Sequence, residues 1–205
     1  MLDRGVLDPL WEREQSSNET EGKKMKIFVI VGMPAAGKSI GRIYSESKGY
    51  PYYATGDLVR AEVRRRGFEA DAVHMAAVST ELRGDDGMGV TRMALETALK
   101  EESPVVFLEG MRSWPEIELI RQRAACFVVV FLSPKSLRLK RIAARGRADD
   151  SVQAFDARDQ REIDYGAAVP IALADGYILN TGTMEDAIRE MDGIVRESSP
   201  AGRLS

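Results

Sequence analysis

The sequence predicts an α/β fold: a five-stranded parallel sheet with helices on both faces. Three observations carry that reading. Apolar, strand-sized runs alternate with amphipathic, helix-sized segments. The first of these runs leads directly into a Gly-rich turn and then a helix. The 205 residues, 44% hydrophobic and 30% charged, have the size and composition of one compact domain.

Composition excludes several other classes. The mean hydropathy is −0.25, and the longest apolar stretch, 126–132, is only strand-sized, so no membrane span is expected. Twenty-nine basic and 32 acidic residues give a net charge of −3. That balance argues against nucleic-acid binding by bulk electrostatics, although a local basic cleft stays open. A single cysteine and a single histidine rule out an internal disulfide and a His/Cys metal site. A cytoplasmic domain, monomeric or homodimeric, is the expectation.

Residues 1–24 hold six acidic and four basic side chains around an aperiodic polar stretch, and read as a flexible leader with no secretory signal. The domain is expected over 25–197, with a tail over 198–205. Strands are expected at 25–31, 50–54, 104–108, 126–132 and 176–180. Helices are expected at 37–48, 57–66, 71–82, 88–101, from Ser113 (with capping-box spacing to Glu116), from Ser133-Pro134 to 144, at 151–165 and from Thr183. The all-apolar 126–132 run suits a strand buried on both faces.

Gly32-Met33-Pro34-Ala35-Ala36-Gly37-Lys38-Ser39 fits G-x-x-x-x-G-K-[ST] between the first strand and first helix. In that context the turn's N–H groups and the helix N-terminus converge on an anion. Lys38 would reach the β- and γ-phosphates of a nucleotide, and the Ser39 hydroxyl would ligate Mg²⁺. Glu109 ends an apolar strand at the carboxyl edge of the sheet, where a carboxylate can order Mg²⁺ or its water shell; pairing with Arg112 is the plainer alternative.

With these residues in place the sequence resembles the adenylate-kinase-like P-loop kinases. Thr55-Gly56-Asp57-Leu58-Val59-Arg60 resembles the acceptor-binding T-G-D-x-x-R segment. Leu108-Glu109-Gly110-Met111-Arg112 resembles the apolar-D-G-x-x-R stretch, with Glu in place of Asp and the arginine one position nearer. Lys140–Arg145 resembles the R-x-x-x-R that enters the lid. Gly146–Asp150, followed by Arg158-Asp159-Gln160-Arg161, resembles a short lid over about 144–165 with no zinc cluster. Ala174–Gly182 is similar to the last strand and loop of dephospho-coenzyme A kinases. The motif order matches an archaeal adenylate-kinase-related family of unassigned substrate.

The resemblance implies a kinase using ATP and Mg²⁺ on a small-molecule phosphate acceptor: a nucleoside monophosphate first, dephospho-coenzyme A second. A nucleotide-dependent switch or assembly ATPase is the rival from another class. It also implies roles. Gly32 to Ser39, Ile40, Arg141, Arg145 and Gly182 would hold the nucleotide, and Thr55, Gly56, Asp57, Arg60 and Arg112 the acceptor. Ser39 and Glu109 would serve the metal, and Lys38, Arg112, Arg145, Arg147, Arg158 and Arg161 the transferring phosphoryl group. Plainer readings stand beside several of these: Asp57 as a helix cap, Arg83 as part of a helix stop, Arg158 paired with Glu162 at i,i+4, and Arg64-Arg65-Arg66 as an exposed helix end.

Overall fold

The computed structural model describes residues 25–145 and 151–198. The leader, Arg147 with the rest of 146–150, and the tail beyond Ser198 lie outside the described residues. In chain order the elements are β1 (Lys26–Val31), α1 (Ser39–Lys48), β2 (Tyr52–Ala54), α2 (Thr55–Arg65), α3 (Ala72–Arg83) and α4 (Gly89–Ala98). They continue with β3 (Val105–Glu109), α5 (Trp114–Arg121), β4 (Ala125–Leu132), α6 (Lys135–Arg145), α7 (Val152–Asp164), α8 (Ala168–Ala172), β5 (Gly176–Leu179) and α9 (Met184–Ser198).

The strands form one parallel sheet in the order β2-β3-β1-β4-β5. Parallel neighbours need crossovers, and the alternation of apolar runs with helical segments supplies them. β1 sits between β3 and β4, with Ile30 opposite Glu109 on one side and Val129 on the other. The chain's first crossovers run from β1 toward β2 and β3, the later ones toward β4 and β5. That reversal opens a crevice at the carboxyl end of β1.

Alternate residues of the central strands feed two cores. Ile27, Val29, Val106, Leu108, Val128 and Val130 pack with Leu95, Ile117 and Ile120 of α4 and α5. Phe28, Ile30, Phe107, Val129 and Phe131 pack with Tyr44 of α1 and Met191 and Val195 of α9. Phe28 and Phe107 stack with their centroids 5.4 Å apart. A third, smaller cluster of Val59, Val63, Val78 and Val90 joins α2, α3 and α4 into a separate wall beside the crevice.

Most boundaries fall within a residue or two of expectation; four differences have physical reasons. α2 starts at Thr55 with Ala54 as its cap residue, so Asp57 lies inside the first turn and caps nothing. α8 is a five-residue turn of helix around Pro170, too short and too apolar to show a period. β4 is buried only over Val128–Phe131; Ala125 is exposed and Cys126 and Phe127 half-buried where the strand pairs with the start of β1, at the end of the sheet that the helices cover least. The Ser133 hydroxyl does not cap α6: it donates to Asn180 O at 2.7 Å and ties the β4 and β5 ends together. The closing helix does have the expected cap, since Thr183 and Asp186 exchange side-chain and backbone hydrogen bonds.

Candidate functional site

The turn between β1 and α1 is held open by close contacts that need glycine. Gly37 has φ +107, and a Cβ there would lie 2.0 Å from Asn180 Nδ2. Asn180, at the end of β5, is buried and donates from Nδ2 to Ala36 O at 2.8 Å. Arg141 reinforces the joint, donating to Ser133 Oγ at 2.9 Å, Asn180 O at 2.9 Å and Ala35 O at 3.3 Å. Its guanidinium therefore braces the turn against the β5 loop. Ile40 is a core residue behind the turn, and Ser39 opens α1.

Lys38 folds over its own loop, donating to Gly32 O at 2.7 Å and Met33 O at 3.3 Å. Burial lowers its pKa below the ordinary lysine value of 10.5, while the charges of Glu109 and Glu162 pull it back up. Glu109, at the end of β3, accepts from Tyr52 Oη at 2.6 Å on one oxygen. Burial together with the Glu109 charge raises the Tyr52 phenol well above its usual range, so Tyr52 stays a donor. The hard oxygens of Ser39 and Glu109 suit Mg²⁺, which keeps much of its water and takes few protein ligands. Among the described residues no group of three or more His, Cys, Asp or Glu could hold a metal ion.

Two cavities open on the crevice. The one over the turn is about 300 Å³ and is lined by Gly32, Lys38, Asp57, Glu109 and Arg112 among others. The second, about 480 Å³, lies between the α2–α3–α4 wall and α7. Val59, Met75 and Val90 make its apolar side, and Ser79, Thr80 and Thr91 supply hydroxyls. Its cations are Arg83, Arg112, Arg158 and Arg161, set against Glu116 and Glu162. Glu116 is already engaged: one oxygen accepts from the N–H groups of Arg112 and Ser113 at 2.8 and 2.9 Å, the other from Thr91 Oγ1 at 2.5 Å. The second cavity is thus net positive, as a pocket for an anionic ligand should be.

Gly110 shapes the seam between the cavities. Its φ is +106, and a Cβ there would strike Thr55 Oγ1 at 2.0 Å. Arg112 follows it, with Nε 3.1 Å from Glu162 Oε2 and its guanidinium 5.1 Å from the centroid of Tyr165. Arg83 reaches the same ring at 5.0 Å. Tyr165 therefore links α3, the β3–α5 turn and the end of α7 through cation–π contacts.

The fold brings together Lys38, Thr55, Gly56, Glu109, Arg112, Arg158 and Arg161 around these cavities. Arg60 lines neither cavity and donates to Asp57 Oδ1 at 2.6 Å on an exposed helix face. Asp57 lines the cavity over the turn but pairs with Arg60 and with Arg42 of α1. Arg145 is exposed on the last turn of α6, and Gly182 packs against Asp186 in the α9 cap. Arg66 is more than an exposed helix end, since it bridges to Glu81 of α3 at 2.7 Å. Glu162 pairs with Arg112 across the site.

Two residues with a structural claim on the site were not singled out by the motifs. Arg138 of α6 and Asp159 of α7 form a bidentate pair, both bonds 2.7 Å, with both residues buried. Arg138 also donates to Pro34 O in the turn at 3.0 Å and lies 5.0 Å from the Phe155 ring centroid. This pair fixes α7, and with it Arg158 and Arg161, to the phosphate-binding turn. The available signal was the burial of a charged pair, which spacing does not reveal.

A Gly-rich turn between β1 and α1, cationic side chains from several elements, and cavities at a switch point of a parallel sheet define a P-loop nucleotide-binding domain. A family model described as an AAA domain matches residues 31–156. The chain is 38% identical over 180 residues to a UPF0200 protein of Methanothrix thermoacetophila, covering 84% of this chain and 97% of that one. It is 34% identical over 179 residues to a UPF0200 protein of Thermococcus gammatolerans, covering 83% and 94%. The chain belongs to this family of archaeal relatives.

Solved structures show the same fold. A Thermus thermophilus protein superposes with a TM-score of 0.60 at 21% identity, over 86% of this chain and 99% of that one. A gluconokinase from Sinorhizobium meliloti gives 0.56 at 16% identity, over 83% and 92%. Shikimate kinase from Acinetobacter baumannii gives 0.52 at 17% identity, over 89% and 96%. The architecture is that of the P-loop kinases.

Proposed function

We propose that this protein is a kinase that moves the γ-phosphoryl group of ATP, with Mg²⁺, to a small anionic metabolite. The acceptor candidates are a nucleoside monophosphate or a related phosphorylated metabolite such as dephospho-coenzyme A. One observation carries the reading: a P-loop cavity holding Lys38 meets a second, cationic cavity, and Arg112 borders both.

The turn's backbone and Lys38 would hold the donor phosphates, and the bonds of Lys38 to Gly32 and Met33 would exchange for phosphate oxygens. Ser39 and Glu109 would hold Mg²⁺, which neutralises charge on the leaving diphosphate. Arg83, Arg158 and Arg161 would grip the acceptor's anionic group, and Arg112 would sit beside the phosphoryl group in transit. Phosphoryl transfer asks mainly for such positioning and cationic stabilisation. The apolar wall of Val59, Met75 and Val90 would take the acceptor's uncharged body and keep water out.

The test is turnover of Mg²⁺-ATP with each nucleoside monophosphate and with dephospho-coenzyme A, the products identified by mass spectrometry. A phosphorylated acceptor that disappears with Lys38→Ala is the expected result. Equal ADP and free phosphate in every reaction, with no phosphorylated product, would favour the ATPase switch instead.

A further inference from the structure

The two cavities share six lining residues: Pro34, Thr55, Gly56, Gly110, Arg112 and Glu162. These mark the seam across which a phosphoryl group would pass from one cavity to the other. Two of the six are charged, and one of those, Glu162, is a carboxylate. It comes from α7, is partly shielded from solvent, and is held by Arg112 Nε at 3.1 Å. The other acids at the donor cavity are engaged elsewhere: Glu109 with Tyr52, and Asp57 between Arg42 and Arg60.

A carboxylate at that seam discriminates between acceptor chemistries. A phosphate acceptor attacks through an oxygen already ionised and gains nothing from a proton acceptor beside it. A hydroxyl acceptor must lose its proton as the new bond forms, and it needs a group there to take it. We infer that the acceptor attacks through a hydroxyl group, and that Glu162 takes its proton. The inference rests on the kinase reading above and narrows its acceptor to an anionic metabolite that offers an alcohol.

The step balances. The hydroxyl oxygen forms a bond to the γ-phosphorus, the bond from that phosphorus to the β–γ bridging oxygen breaks, ADP leaves with the electron pair, and the proton passes to a Glu162 oxygen. Arg83, Arg158 and Arg161 would anchor the acceptor's own anionic group at the far side of the cavity, leaving the hydroxyl at the seam. Arg112 would orient the Glu162 carboxylate and offset its charge near the γ-phosphoryl group.

The experiment uses the full chain, Mg²⁺-ATP, and two sets of probes. One set is the nucleoside monophosphates, offering a phosphate. The other is dephospho-coenzyme A and phosphorylated or carboxylated alcohols, offering a hydroxyl beside an anion. Phosphorus NMR separates a phosphate ester from an anhydride, and calorimetry follows ATP binding. The expected result is an ester product. Glu162→Gln should lower its kcat by about 10²–10⁴-fold with ATP affinity retained. Glu162→Asp should recover part of the rate.

An anhydride product would overturn the inference and leave the kinase reading standing. An ester formed by Glu162→Gln at near the wild-type rate would also overturn it. No product from either set, with ATP bound, would overturn the kinase reading itself.

Discussion

At the scale of single residues, two positions carry sharp expectations. Gly110 has a backbone that L side chains rarely adopt, and Thr55 Oγ1 occupies the space a Cβ would need. Gly110→Ala should cost about 1–3 kcal/mol in urea unfolding. It should also push Thr55 away from the seam, so that KM for the acceptor rises more than KM for ATP. Lys38 is the second. Its protonated form is the one that binds phosphate, and burial has lowered its pKa from 10.5. ATP affinity should therefore begin to weaken, as pH rises, before the ordinary lysine range is reached. Lys38→Arg should move that loss to higher pH, as read by calorimetric titration across the alkaline range.

Much of this scale was legible in the sequence. The turn from Gly32 to Ser39 declares itself because each residue type has one physical job at a fixed spacing. Arg60 illustrates the limit. Its place in a T-G-D-x-x-R motif implies an acceptor contact, but the motif does not show that Arg60 pairs with Asp57 one helix turn away or that only Asp57 of the two lines a cavity. Glu162 was visible only as an i,i+4 neighbour of Arg158. Its partner across the crevice, Arg112, is 50 residues away in the chain and is set by the fold.

At the scale of elements, the alternation of apolar runs with amphipathic segments located all five strands. The short α8 escaped because five residues cannot display a period. The joint between α6 and α7 was equally invisible, because nothing in spacing says that Arg138 and Asp159 are buried. That joint has energetic consequences. Removing one partner strands a buried charge, so Asp159→Asn or Arg138→Met should each cost about 3–5 kcal/mol. Replacing both, as Arg138→Met with Asp159→Leu, should restore most of that stability in urea unfolding. The double variant should still turn over poorly with a raised acceptor KM, because α7 has lost its tie to Pro34 and its arginines their placement. A double variant with wild-type kinetics would show that the pair does nothing beyond filling space.

At the scale of the whole molecule, the sheet and its two cores place the site, and surface ion pairs bind the outer helices to one another. Glu62 and Asp86 are held at about 2 by their arginine partners, from ordinary values of 4.5 and 3.8. Because the folded state lowers these values, their contribution is present above the unfolded carboxylate range and is lost as pH falls toward 2. The urea midpoint should therefore decline through that window, and added salt should blunt the decline, most of all for the exposed Asp86–Arg92 pair. No described helix is long and apolar enough to cross a membrane.

The fate of the γ-phosphoryl group tests the central claim most directly. ATP labelled at the γ-phosphorus, incubated with the protein, Mg²⁺ and the acceptor panel, should deliver its label to one acceptor and little to free phosphate, and Lys38→Ala should deliver none. Label found in free phosphate at one rate, whatever acceptor is present, would contradict the account: the second cavity would then not be a substrate pocket.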